Sequence, residues 1–295
     1  MKVVKPRTLY VVATPLGNLE DITLRAVQVL KAVDVIAAED TRHSRKLLRH
    51  YGISTPLTSY YDQIERRKAP QLIGELKRGR SVALISDAGT PGIADPGYHL
   101  VRTAVAAGVR VEAVPGPSAV TAALSIAGLP TNRFAFEGFV PAKQALRRRF
   151  FARLAREPRT VVAYEAARRL AACLDDLRSV LGDREIVIVR ELTKMFEEVL
   201  RGRAADILLQ LGQRPSTRPL QGEVTLLIGA SETLVADVAP EDLAAAIERL
   251  QGEGMRLKEI ARTLARERGL SRRRVYQAGL TLSHAHDVRG GAPTR

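Results

Sequence analysis

The sequence of 295 residues has one cysteine, Cys173, no tryptophan and five histidines. A lone cysteine forms neither an intrachain disulfide nor a cysteine-based zinc site, which excludes a disulfide scaffold and a zinc ribbon. Between Leu170 and Leu174 it reads as a small buried hydrophobe. No two histidines stand at a metal-ligand spacing inside an element, and His284 and His286 fall in the tail, so no metal is expected. Long apolar runs are also missing. Nothing approaches the ~18 residues that span a bilayer, and the stretch 9–13 is too short for the apolar core of a secretory signal. A cytoplasmic location is expected. Acids are scarce relative to bases: 32 Asp+Glu face 46 Lys+Arg, a net charge of +14. That excess favours a polyanionic partner, nucleic acid before an anionic membrane surface, although an arginine-rich proteome produces the same signature. Hydrophobic residues at 45% and charged residues at 26% are ordinary globular values. At about 150 residues per domain, the length gives a prior of two domains.

Short β-rich apolar runs at 9–13, 33–38, 56–60, 82–86 and 109–114 alternate with helical patterns at 23–32, 44–51, 65–77 and 97–107. This alternation predicts an α/β domain with a mainly parallel sheet covered by helices. A second series follows, with strands at 133–138, 160–164, 185–190 and 224–229 and helices at 118–127, 143–156, 168–181 and 204–212. The expected boundaries are 1–117 and 118–232 for two α/β domains, with a turn at 215–219. From 240 the pattern turns purely helical. Leu243, Ala246, Ile247 and Leu250 form one stripe, and Leu257, Ile260, Ala261 and Leu264 form the next. Gly269 breaks the chain and Ser271 is a natural N-cap for a third helix carrying Val275, Ala278 and Leu282. Residues 240–286 therefore read as a helix-turn-helix-like module, and 287–295 as a disordered tail.

Ligands of open α/β sheets bind beyond the carboxyl ends of the strands. Four loops sit there: Thr14-Pro15-Leu16-Gly17-Asn18-Leu19, Glu39-Asp40-Thr41-Arg42-His43, the long Asp87-to-Gly97 loop, and Pro115-Gly116-Pro117-Ser118-Ala119. None is a dinucleotide fingerprint or a Walker phosphate loop. Glycines in the 87–97 loop allow close backbone approach to a ligand, while Asp95 has the plainer alternative of capping the helix after Gly97. Ser118 either caps its helix or opens an anion-binding N-terminus. Two basic clusters stand out. Residues 143–159 hold seven Lys and Arg against one acid, including Arg147, Arg148 and Arg149. Arg272, Arg273 and Arg274 open the last helix. Both could meet the phosphates of a polyanionic partner, with a solvated arginine face as the alternative.

The run from Val12 to Ala26, with Ala38-Glu39-Asp40-Thr41-Arg42, Ser86 to Leu100, Pro115 to Ala119 and Glu137 to Lys143, closely resembles the ribosomal RNA small subunit methyltransferase I family. Tyr164-Glu165 and Arg190-Glu191-Leu192-Thr193-Lys194 with Glu197-Glu198 complete the likeness, which covers roughly 9–229. The chain departs at Arg168-Arg169, where the family usually has His-Arg, and at 61–65, where it tends to a His-rich stretch. The resemblance implies a tetrapyrrole-methylase fold with S-adenosylmethionine in a cleft between two α/β halves. It further implies 2′-O-methylation of a decoding-site cytidine in 16S rRNA, within the 30S subunit, by a homodimer. By the same resemblance, Pro15, Asp87, Gly89, Ile93, Asp95, Ser118, Ala119, Tyr164, Leu192 and Thr225 would bind the cofactor. Glu39, Asp40, Arg42 and Lys143 would stand near the ribose, and the polyanionic partner of the two basic clusters would be RNA. A precorrin-type small-molecule methyltransferase and a non-enzymatic helix-turn-helix regulator are the alternatives.

Overall fold

The computed structural model describes residues 4–214, 220–231, 240–268, 272 and 275–282. The chain divides into two compact units, Met1–Phe151 with Thr160–Gly229, and Ala152–Arg159 with Ala230–Arg295. Both sheets lie in the first.

Strands β1 (Thr8–Val12), β2 (Val35–Ala38), β3 (Leu57–Ser59), β4 (Val82–Ile85) and β5 (Arg110–Val114) pair in the order β3-β2-β4-β1-β5. Every pairing is parallel, as the alternation predicts. The crossover helices are α1 (Leu24–Ala32), α2 (Thr41–His50), α3 (Glu65–Lys77) and α4 (Tyr98–Ala106). Leu30 of α1 and Leu47 and Leu48 of α2 pack with Ala83 and Ile85 on one face. Leu72 and Leu76 of α3 and Leu100 of α4 pack with Val82 and Leu84 on the other. Successive β4 side chains thus enter opposite cores, which is why the strand is apolar throughout. The neighbours β1 and β4 feed helices on opposite faces. Their carboxyl ends are the topological switch point where such sheets bind ligands.

The second sheet contains β6 (Phe134–Phe139), β7 (Thr160–Ala166), β8 (Glu185–Arg190), β9 (Glu198–Arg203) and β10 (Glu223–Ile228), in the order β6-β7-β10-β8-β9. Here only β6–β7 is parallel; β7–β10, β10–β8 and β8–β9 are antiparallel. Strand β9 is absent from the sequence expectation. It is an edge strand whose residues are all at least partly exposed, so it carries no apolar run to signal it. Helices α5 (Ala119–Ala127), α6 (Gln144–Arg153), α7 (Leu170–Leu181) and α8 (Ala204–Gly212) complete the unit. Val120, Leu124 and Ala127 of α5 pack with Val162, Val187 and Leu227.

In the second unit, α9 (Pro240–Gly252) and α10 (Leu257–Arg268) precede a helical stretch at 275–282. Leu243, Ile247, Ile260, Leu264 and Val275 form its core, using the stripes read from the sequence. The expected turn at 215–219, the break at Gly269, the cap at Ser271 and the tail at 287–295 lie outside the described residues. Among the described residues, no helix is long and apolar enough to cross a membrane.

Candidate active site

The loops after β1 and β4 are joined by a two-way backbone bridge. Thr14 N donates to Gly89 O at 2.8 Å and Gly89 N returns to Thr14 O at 3.0 Å. Gly89 has φ 78°, and a Cβ there would lie 3.3 Å from Leu16 Cδ2. Only glycine takes that conformation without strain, so a valine at this position would disturb the backbone as well as the space beside it. Thr90 Oγ1 donates to Pro117 O at 3.1 Å and ties the β4 loop to the entrance of α5. Gly97 begins α4 without a side-chain cap, so Asp95 is not its capping residue. Ser118 is the N-cap of α5 but makes no side-chain capping bond.

A cavity of about 340 Å³ lies among these loops and the second sheet, within the first unit. Its lining includes Glu39, Asp87, Gly89, Ile93, Asp95, Ser118, Ala119, Tyr164, Leu192 and Thr225, all expected from the resemblance. Pro15 is buried beside the lining residue Leu16 and does not line the cavity, and Asp40, Arg42 and Lys143 are exposed outside it. Sequence reasoning missed Phe139, Val189, Arg169, Glu223 and Val224 as wall residues. Phe139, Glu165 and Arg169 stand inside motifs the likeness had marked, but nothing there separates a wall residue from its neighbours. Glu223 only precedes the strand expected at 224–229; in the structure it opens β10.

Five carboxylates line this space: Glu39, Asp87, Asp95, Glu165 and Glu223. Asp40 N donates to Asp87 Oδ1 at 3.1 Å and Asp87 N to Glu39 Oε2 at 3.3 Å. Burial raises Glu39 above its ordinary range against the backbone bond from Asp87, and the nearby acids Asp87, Asp62 and Asp40 add to the rise. Asp87 is likewise raised, chiefly by burial. Asp95 is pushed up to about 7 by burial and by the negative charges of Glu39, Asp87 and Glu223, against a bond from Ser86. Tyr164 rises to about 12 through burial and the charges of Asp95 and Glu223. Asp40 behaves differently: its carboxylate caps α2 by accepting from Arg42 N at 2.7 Å, and that bond lowers its pKa.

One cation opposes these acids on the wall. Arg169 Nε donates to Glu165 Oε1 at 2.7 Å, and the same oxygen accepts from Ala166 N at 2.6 Å. Glu165 is 2% exposed, so the pair anchors the guanidinium at the cavity edge. The departure from the His-Arg pattern falls on Arg168, which is exposed and outside the lining; Arg169 fills the second place of the pair.

The structure corrects the basic run on α6. Arg147 is 5% exposed. Its Nε donates to Asp176 Oδ2 at 2.8 Å and its Nη1 to Ala142 O at 3.1 Å. A guanidinium held this way joins α6 to α7 and is not presented to a phosphate. Arg148 is more exposed but pairs with Asp176 at 2.7 Å. Arg149 and Arg272 are exposed, while Arg273 and Arg274 lie outside the described residues.

The family model described as tetrapyrrole (corrin/porphyrin) methylases matches residues 8–208. The crystal structure of uroporphyrin-III-C-methyltransferase from Thermus thermophilus superposes with a TM-score of 0.52 at 23% identity, covering 78% of this chain and 98% of that one. Ribosomal RNA small subunit methyltransferase I of Xylella fastidiosa (strain Temecula1) is 50% identical over 235 residues, 79% of this chain and 85% of the relative. The protein of the same name from Escherichia coli O157:H7 is 44% identical over 273 residues, 92% and 94% of the two chains. The chain belongs to the tetrapyrrole methylases and, among them, to the ribosomal RNA small subunit methyltransferase I family.

Proposed function

We propose that the protein transfers a methyl group from S-adenosylmethionine to the ribose 2′-hydroxyl of a decoding-site cytidine in 16S rRNA of the 30S subunit. The observation that carries this reading is the cavity at the switch point, ringed by Glu39, Asp87, Asp95 and Glu223 and bearing one cation, Arg169. The donor has a sulfonium, an ammonium, a carboxylate and a flat purine. Carboxylates suit the two cations, the Nη1 edge of the Arg169 guanidinium, which Glu165 does not engage, suits the carboxylate, and Leu16, Phe139, Tyr164 and Val189 supply apolar wall for the purine. The chemistry this group supplies is an electrophilic methyl on a positively charged sulfur.

The chain's own residues have two tasks. Displacement at the methyl needs the attacking oxygen in line with carbon and sulfur, and the tethers Thr14–Gly89 and Thr90–Pro117 hold the wall that sets this alignment. A carboxylate with a raised pKa suits removal of the hydroxyl proton. Glu39 meets that requirement, whereas Asp40 is exposed, lowered and engaged as a helix cap. Arg42, Lys143 and Arg149 are exposed and suited to flanking phosphates, and Arg272, exposed in the second unit, is suited to RNA phosphate in its own right.

Relatives at 42–55% identity carry the ribosomal RNA name, while the tetrapyrrole enzyme shares the fold at 23%; this favours RNA over a small-molecule substrate. A helix-turn-helix regulator with the α/β part as its sensor would bind the donor in such a cavity but show no turnover. The test is single-turnover transfer of labelled methyl to 30S subunits at saturating donor. Glu39→Gln is expected to slow transfer by about 10²-fold or more. Asp40→Asn, which keeps a capping side chain, should stay within a few-fold of wild type. Equal transfer by wild type and Glu39→Gln removes Glu39 from the reaction, and no transfer by wild type defeats the reading. The reading also includes a cytoplasmic location and a homodimer; the dimer is supported by Met195 and Phe196, apolar residues that are 92% and 71% exposed. Light scattering at micromolar concentration should give twice the chain mass; a monomer mass contradicts it.

A further inference from the structure

The basic residues of the first unit divide into two groups. Many are neutralised: Arg147 and Arg148 by Asp176, Arg78 and Arg80 by Glu75, Arg110 and Lys5 by Glu112, Arg190 and Arg214 by Glu198. Those of α2 are not. Its sequence, TRHSRKLLRH, has no acid. Arg42, Arg45, Lys46 and Arg49 are all exposed, and none makes a side-chain ion pair or hydrogen bond among the described residues. They follow a spacing of three or four, which puts them on one helix face. At 1.5 Å per residue the stripe runs about 10 Å. One end lies at the cavity rim, because α2 is capped by Asp40, whose backbone N–H is bonded to the lining residue Asp87. The other end borders an open groove of about 690 Å³ lined by Arg45, Arg49, Ser54 and Thr55, among others. Buried Leu47 and Leu48 hold the opposite face against the sheet, so the stripe is rigidly presented.

We infer that the exposed face of α2, from Arg42 to Arg49, is the main phosphate-binding track for the RNA substrate. The inference rests on the RNA reading above and extends the contact expected at Arg42 along the whole exposed face of the helix. Unpaired cations release counterions when they meet phosphate, whereas a cation already matched to a buried acid gains little. An acid interior beside a basic exterior also separates the tasks: the cavity attracts a cationic donor and the outer helix attracts a polyanion.

The test is fluorescence anisotropy with a decoding-region 16S RNA fragment over a salt series. Arg45→Gln/Lys46→Gln/Arg49→Gln is compared with a charge-matched triple at the end of α3, Lys77→Gln/Arg78→Gln/Arg80→Gln. The α2 triple should weaken binding about tenfold or more at physiological salt and flatten the log Kd against log salt slope by about 2, at ~0.7–0.9 per lost contact. The α3 triple should stay within twofold, and both should keep wild-type affinity for S-adenosylmethionine by calorimetry, which also verifies the fold. Wild-type slope and affinity in the α2 triple, or equal loss in both triples, overturns the inference. If wild type still methylates RNA in that case, the functional reading survives; if wild type neither binds nor methylates RNA, that reading falls first and takes this one with it.

Discussion

Arg147→Ala is expected to lower the free energy of unfolding by about 3 kcal/mol, while Arg148→Ala, one residue on, should cost under about 1 kcal/mol. The difference lies in burial. The Arg147 side chain is 6% exposed and its partner Asp176 2%, whereas the Arg148 side chain is 54% exposed on the same carboxylate. Removing Arg147 leaves a buried acid short of its one buried cation, and Arg148 and Gln144 compensate only in part. Urea denaturation at pH 7 reads both values, and equal small losses would place Arg147 on the surface. The pair should also confer acid sensitivity. Burial raises the Asp176 pKa, but hydrogen bonds from Arg148, Arg147 and Gln144 outweigh it, and the folded value lies below the ordinary one. The stabilisation is therefore present above an unfolded pKa of about 3.9 and is lost as pH falls through the folded value.

Asp95→Asn is expected to have opposite effects on stability and on donor binding. The folded pKa of Asp95 is raised to about 7, above its unfolded value. Its contribution to stability is therefore intact below about pH 4 and is lost as pH rises through 7, where the ionised carboxylate is crowded by Glu39, Asp87 and Glu223. At pH 8 the ligand-free asparagine variant should be more stable than wild type by about 1–2 kcal/mol, a figure reduced for the water the side chain still meets. The advantage should vanish near pH 4. Affinity for S-adenosylmethionine should move the other way. A cation favours the ionised carboxylate, so wild-type binding should tighten as pH rises through 7 and release a proton. The variant should bind about tenfold more weakly at pH 8, with a flatter pH profile. Calorimetry in buffers of different ionisation enthalpy separates these outcomes. Unchanged affinity and proton release in the variant would remove Asp95 from donor binding.

These expectations show where the sequence was legible. The parallel sheet was readable because β4 and its neighbours are buried on both faces and hence uniformly apolar. The loops that make the cavity were readable because strand ends at a switch point are fixed by topology and because their glycines and prolines are conspicuous. Three things were not readable. Strand β9 has no buried residue to mark it. The antiparallel order of the second sheet depends on which strands pair across long separations, and local periodicity does not encode that. Arg147 stands in an unbroken basic run, and its acid partner is 29 residues away on another helix. Asp40 illustrates the same limit, since adjacent carboxylates at 39 and 40 look equivalent until one is seen to cap α2 and the other to line the cavity.

The central claim is that this cavity delivers a methyl group to a ribose 2′-oxygen in small-subunit RNA. It is tested most directly by mapping 2′-O-methylation along 16S rRNA from a strain lacking the gene, its complemented twin, and a twin complemented with Glu39→Gln. The account predicts one decoding-site cytidine that is unmethylated in the deletion, methylated on complementation, and largely unmethylated with Glu39→Gln. An identical methylation map in the deletion and complemented strains would contradict it.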